Sequence, residues 1–138
     1  MIDPWGEYVS ESYKATGDSY AQHTPEEWEE VKNVAVSAVR WAKPRVRLYQ
    51  GTSEGAAEHF GDDMFDVVFI DGDHSYDQTS KDIVAWWPLV TPGGYLGGHD
   101  YRSDKNFGVI QAVDEFVAEM GLNLELGKNL TWFVRKPA

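Results

Sequence analysis

Phe65-Asp66-Val67-Val68-Phe69-Ile70-Asp71-Gly72-Asp73-His74-Ser75-Tyr76 is a β-branched and aromatic run that breaks off into two carboxylates and an imidazole. A nearly continuous apolar run of this length predicts a strand over residues 66–71, covered on both faces. The carboxyl end of such a strand is where an open α/β sheet places its ligands, so Asp71, Asp73 and His74 are the first candidates for chemistry.

Working outward, each neighbouring segment carries helix or strand signals in alternation. Upstream, Thr24-Pro25-Glu26-Glu27 combines a Thr N-cap, proline at the first helical position and Glu three residues after the cap. Trp28, Val31, Ala35, Ala38, Val39 and Ala42 recur at helical spacing, which predicts a helix with one core-facing stripe, stopping near Pro44. A strand over Val46 to Gln50 and a short helix from Glu54 to Phe60 follow, separated by the turn residues Gly51-Thr52-Ser53. Downstream, Ser75 and Gln78 form a second capping pair ahead of Ile83, Trp86 and Trp87, with Pro88 ending that helix. Pro92-Gly93-Gly94 reads as a turn and Tyr95 to Gly98 as a short strand delivering His99-Asp100-Tyr101. A helix over Val109 to Met120, closed by Gly121, leads to a terminal hairpin, Leu122 to Leu126 and Leu130 to Val134. The alternation from residue 24 to 121 predicts an α/β fold, a Rossmann-like and mostly parallel sheet with flanking helices and a C-terminal antiparallel hairpin. Residues 1–138 form one domain on this reading, with 1–23, polar and Ser/Tyr-rich, as an irregular arm.

Composition narrows the partners. The 138 residues carry 12 Lys+Arg against 23 Asp+Glu, a net charge of −11, which opposes an unaided grip on nucleic acid or an anionic membrane. There is no cysteine, so disulfides, thiolate metal sites and a Cys nucleophile are excluded, and a cytoplasmic location is expected. A small-molecule substrate, a metal ion or a basic partner fits this balance.

Two clusters then reach neighbouring strand ends: Asp71, Asp73 and His74 on one, His99 and Asp100 on the next. Carboxylate oxygens suit Mg²⁺, Mn²⁺ or Ca²⁺, whereas several imidazoles draw the preference toward later transition metals. Asp-Gly-Asp is also ordinary turn chemistry, and ligand counting alone leaves the ion undecided.

In order along the chain, Phe65 to Tyr76, Asp82-Ile83 with Trp86 to Val90, Pro92-Gly93-Gly94, His99-Asp100-Tyr101 and Gly108-Val109 with Ala112-Val113 resemble the class I S-adenosylmethionine-dependent O-methyltransferases of the macrocin and sugar type. The resemblance implies that Asp71 and Asp100 are metal ligands, with Mg²⁺ foremost, and that Asp71 also lies against the cofactor. His74 would be the general base acting with Asp71 on a small hydroxylated substrate. His99 departs from relatives with an acidic residue there and is either a further ligand or structural. Asp3, in Ile2-Asp3-Pro4-Trp5, would bind the cofactor ribose, or else be a carboxylate on a frayed end. Gly51, Thr52 and Ser53 would approach the adenine, or simply turn the chain and cap a helix.

One departure is larger. The family's Gly-rich cofactor loop and the strand before it have no counterpart, so the fold is expected to be truncated at its N-terminus, and activity turns on whether the cofactor binds. The alternative is a degenerate domain kept for binding or assembly. Under either reading an uncovered sheet edge predicts a homo-oligomer. A third reading, a metal-dependent phosphoesterase, rests on Asp71-Gly72-Asp73-His74 and Gly98-His99-Asp100 alone.

Overall fold

In chain order the elements are β1 (Ile2–Asp3), α1 (Glu11–Ala15), α2 (Pro25–Ala38), β2 (Tyr49–Gln50), α3 (Ser53–Ala57), β3 (Phe65–Ile70), α4 (Tyr76–Trp86), β4 (Val90–Gly98), α5 (Val109–Met120), β5 (Leu124–Leu126) and β6 (Trp132–Arg135). Single 3-10 turns lie at Tyr20–Gln22 and Arg40–Ala42. The structure, a computed structural model, describes residues 1–6 and 8–138. Glu7, part of the stretch read as an irregular arm, lies outside the described residues.

Capping chemistry sets the helix starts where the sequence signals put them. Thr24 and Glu27 close a full capping box on α2, with Pro25 at the first turn. Ser75 Oγ accepts from Gln78 N, but the Gln78 side chain turns instead to Glu54 and Asp82, so only half of that box forms. Helix α5 spans the expected residues and ends on Gly121 at φ 63°, the left-handed conformation that glycine adopts without a Cβ clash.

The fold is the expected Rossmann-like α/β class. β1 pairs parallel with β2, and β3 with β4; the C-terminal hairpin adds antiparallel to β4, giving the order β3-β4-β6-β5. One face of this sheet is the core. Val68 and Ile70 of β3, Leu96 of β4 and Trp132 and Val134 of β6 pack against Ile83 and Trp86 of α4 and Val113 of α5. Fully burying an aliphatic side chain is worth roughly 1.5–3 kcal/mol, so this layer fixes the strand ends relative to each other.

Several expectations change. β3 is not covered on both faces: Val67 is 58% and Phe69 48% exposed, because among the described residues no strand pairs with its second edge and no helix covers that face. The apolar stripe of α2 is only half-buried, Ala38 is exposed and Trp41 beyond it is 78% exposed. The strand expected from Val46 shrinks to Tyr49–Gln50, since its partner β1 offers two residues for pairing. The Pro92-Gly93-Gly94 turn is present but lies inside β4: pairing with β3 jumps from Phe65↔Val90 to Val67↔Tyr95, Gly93 sits at φ 81°, and the segment stays in the sheet through Gly93 N donating to Lys136 O and Lys136 N to Gly94 O. The arm is not irregular throughout. It opens with β1 and contains α1, whose N-cap Ser10 accepts from Tyr13 N. No helix among the described residues is long and apolar enough to cross a membrane.

Candidate functional site

Parallel pairing of β3 with β4 brings the two polar clusters side by side, with Ile70 opposite Gly98 and His99 N donating to Ile70 O at 3.1 Å. Asp71, His74 and Asp100 each offer a ligand atom, and these atoms lie within 4.8 Å of one another. His74 Nε2 is 3.1 Å from Asp100 Oδ2 and 4.0 Å from Asp71 Oδ1. His99 Nδ1 joins from the other side, 3.0 Å from the same Asp100 oxygen and 3.9 Å from Asp71 Oδ1. Asp100 is buried and sits at φ 57°, a conformation uncommon for a residue with a side chain and concentrated at functional sites.

The imidazole of His74 is held from behind. Its Nδ1 lies 2.7 Å from Asp18 Oδ2, a residue of the N-terminal arm, while Phe107 packs on the ring at 4.5 Å and Tyr13 meets it edge-on. A carboxylate on Nδ1 fixes the ring so that Nε2 points at Asp100 and Asp71. Burial alone would lower the His74 pKa. The nearby carboxylates of Asp71, Asp100 and Asp18, the last hydrogen-bonded to the ring, outweigh it, and the pKa is raised. Burial likewise pushes the Tyr13 phenol above its ordinary range, with the negative charges of Asp18 and Asp73 adding to the effect.

Asp73 does different work. Its two oxygens accept from Ser75 N and Ser10 Oγ, both at 2.8 Å, which ties α1 to the start of α4. Neither Ser10 nor Asp18 stands in a motif with the strand-end residues. The local signal that the chain carries there is the Ser10-x-x-Tyr13 cap, which marks a short helix but not what it covers.

A cavity of about 590 Å³ opens over this cluster. Asp3 from β1 lines it together with Asp71, His74, His99 and Asp100, and Tyr8 and Tyr20 contribute aromatic wall. Arg102 and Lys105 reach its rim, Arg102 already paired with Asp104. Asp3 is committed in part, since its Oδ1 accepts from Trp5 N at 2.7 Å; burial raises its pKa and that bond lowers it, the net being upward. Gly51, Thr52 and Ser53 are not in the cavity wall. Thr52 Oγ1 caps α3 by accepting from Gly55 N, and Ser53 Oγ accepts from Trp86 Nε1.

Chemically, two carboxylates and the His74 imidazole within reach of one another suit a divalent cation, and a carboxylate–imidazole pair suits proton transfer. Comparison with known proteins agrees with the fold. Residues 1–101 match a family model described as a methyltransferase domain. An uncharacterized protein of Acanthamoeba polyphaga mimivirus is 36% identical over 56 residues, covering 40% of this chain and 25% of that protein. Among solved structures, the O-methyltransferase NovP superposes with a TM-score of 0.64 at 18% identity, over 99% of this chain and 59% of its own. The MycE methyltransferase of the mycinamycin biosynthetic pathway, in complex with Mg and SAH, gives 0.53 at 18% identity, over 67% of this chain and 33% of its own. The chain thus spans under two thirds of the length of each of these proteins.

Proposed function

Because the chain belongs to the methyltransferase domain family and has the fold of the class I S-adenosylmethionine-dependent O-methyltransferases, we propose that it is the metal and base half of an O-methyltransferase site acting on a small hydroxylated molecule. The observation that carries this reading is the convergence of Asp71, His74 and Asp100 at the carboxyl ends of two paired parallel strands. The donor set fits a divalent ion, with Asp71 and Asp100 as its oxygen ligands. When bound, such an ion polarises a substrate hydroxyl and lowers its pKa. His74 Nε2 then stands where it takes the hydroxyl proton, and Asp18 holds the ring in that orientation while stabilising the cation formed. Tyr8, Tyr20 and Phe107 form a wall against which an acceptor ring packs.

Asp3 supplies a carboxylate at the end of β1, in the same cavity as Asp71, as ribose recognition requires. The unpaired edge of β3, with Val67 and Phe69 exposed beside it, favours a second reading, a domain retained for binding or assembly in the cytoplasm. Calorimetric titration with S-adenosylmethionine and S-adenosylhomocysteine, with and without Mg²⁺, separates the two. A saturable heat and a matching thermal shift are expected for the enzyme, and neither signal at millimolar ligand refutes it.

A further inference from the structure

We propose that the end of α2 and the turn after it form a docking surface for an anionic lipid bilayer. The surface lies outside the cavity described above and does not depend on the reading of that site.

The net charge of −11 averages over an uneven distribution. Residues 31–53 hold five of the 12 Lys+Arg and none of the 23 Asp+Glu. Lys32 is engaged, donating to Gln50 and lying over the Trp5 ring. Arg40, Lys43, Arg45 and Arg47 are exposed, and none joins an ion pair among the described residues. The last acidic residue of α2 is Glu30, about 12 Å of helix before Ala38. That exceeds the Debye length of about 8 Å at physiological salt, so the helix's own carboxylates do not cancel these four cations.

Apolar side chains stand among them. Val34, Ala38 and Trp41 recur at helical spacing on the solvent side of α2, with Val34 70% and Trp41 78% exposed. Buried Ala42 fixes the 3-10 turn that carries Trp41, and the Arg45 guanidinium lies 5.8 Å from the indole centroid. An outward indole among cations suits a bilayer interface, where the ring settles at headgroup level and the cations meet lipid phosphates. The apolar stripe decides between polyanions. A nucleic acid uses the cations and stacks on the indole but leaves Val34 and Ala38 in water, whereas a bilayer takes up all of them. A two-fold pairing of copies through this face would set cations against cations.

The test is co-sedimentation with vesicles of mixed phosphatidylglycerol and phosphatidylcholine, and of phosphatidylcholine alone, at low and physiological salt. Wild type is compared with Trp41→Ser, with the pair Arg40→Glu and Arg45→Glu, and with the pair Lys81→Glu and Lys128→Glu, which changes net charge equally outside the patch. Circular dichroism melts establish that each variant is folded. Binding to the anionic vesicles alone is expected, weakened by salt. Each basic residue near such a surface is worth about fivefold in partitioning, so the Arg pair should lose about 25-fold or more and the Lys pair less than about threefold. Trp41→Ser should lose about tenfold. No binding to anionic vesicles at low salt, or an equal loss in the two charge-reversed pairs, overturns the proposal. Release from the vesicles by millimolar inorganic phosphate, or binding of a single-stranded oligonucleotide and not of vesicles, overturns it as well.

Discussion

Asp82 is a carboxylate placed in the core, and replacing it by asparagine should stabilise the protein in a pH-dependent way. It is 4% exposed on α4, accepts from Gln78 Nε2 at 2.9 Å, and has Ser53 nearby. Burial pushes its pKa from 3.8 up to about 6, the polar groups of Gln78 and Ser53 pulling down and the charges of Glu54 and Asp73 pushing up. At ~1.4 kcal/mol per tenfold change in proton affinity, a carboxyl displaced that far disfavours its ionised form by about 3 kcal/mol. In the unfolded chain Asp82 ionises near 3.8. Below that pH both states are neutral and no penalty arises; as pH rises from there through 6 the penalty grows, and above 6 it is complete. Asparagine carries no charge at any pH and keeps an acceptor for Gln78, though its amide must find a place beside Ser53, whose oxygen already accepts from Trp86. The net expectation is a gain of roughly 1–2 kcal/mol at pH 8 that vanishes or reverses at pH 4. Urea denaturation of both proteins at the two pH values measures it. A variant that is no more stable at pH 8, or that gains equally at both, refutes the assignment of the cost to ionisation.

Two further outcomes follow from the same geometry. Asp18→Ala removes the partner of His74 Nδ1, and because the His74 pKa is raised, the stabilisation is full below about 6.5 and fades as pH rises through the folded value; the variant should lose about 1.5–3 kcal/mol at pH 6 and less at pH 9. An equal loss at both pH values in urea melts contradicts the charge-assisted bond. The uncovered edge of β3, with Val67 and Phe69 exposed, is proposed to drive self-association, and Phe69→Lys should shift the protein toward monomer in light scattering. A wild-type chain that stays monomeric at high micromolar concentration disposes of that proposal.

Elements whose formation depends on neighbours in sequence are legible in the chain itself. The Thr24 capping box, α5 with its Gly121 stop, and the terminal hairpin are set by residues no more than ten positions apart. Features set by distant partners are not. Pro92-Gly93-Gly94 carries every local turn signal and does turn, with Gly93 at φ 81°, yet backbone partners at Lys136 hold it within β4 as an irregularity of the strand rather than as its boundary. The β3 run has the composition of a strand buried on both faces, but coverage belongs to whatever lies beside it, and on one face and one edge nothing among the described residues does.

The site divides in the same way, and the division is physical. Asp71, His74, His99 and Asp100 are legible because strand ends of a parallel sheet must deliver their residues to one rim, so position along the strand suffices. Asp18 is not, because a positioning carboxylate needs only to reach Nδ1 from any direction, and it comes from 56 residues away on an arm with no pattern of its own. Side chains that contact a reacting group are constrained by the sheet, whereas those that orient them are constrained only by distance. The arm's grip on the rim, through Asp18 on His74 and Ser10 on Asp73, therefore makes the orientation of the His74 ring depend on the folding of residues 8–23 rather than on the sheet that carries it.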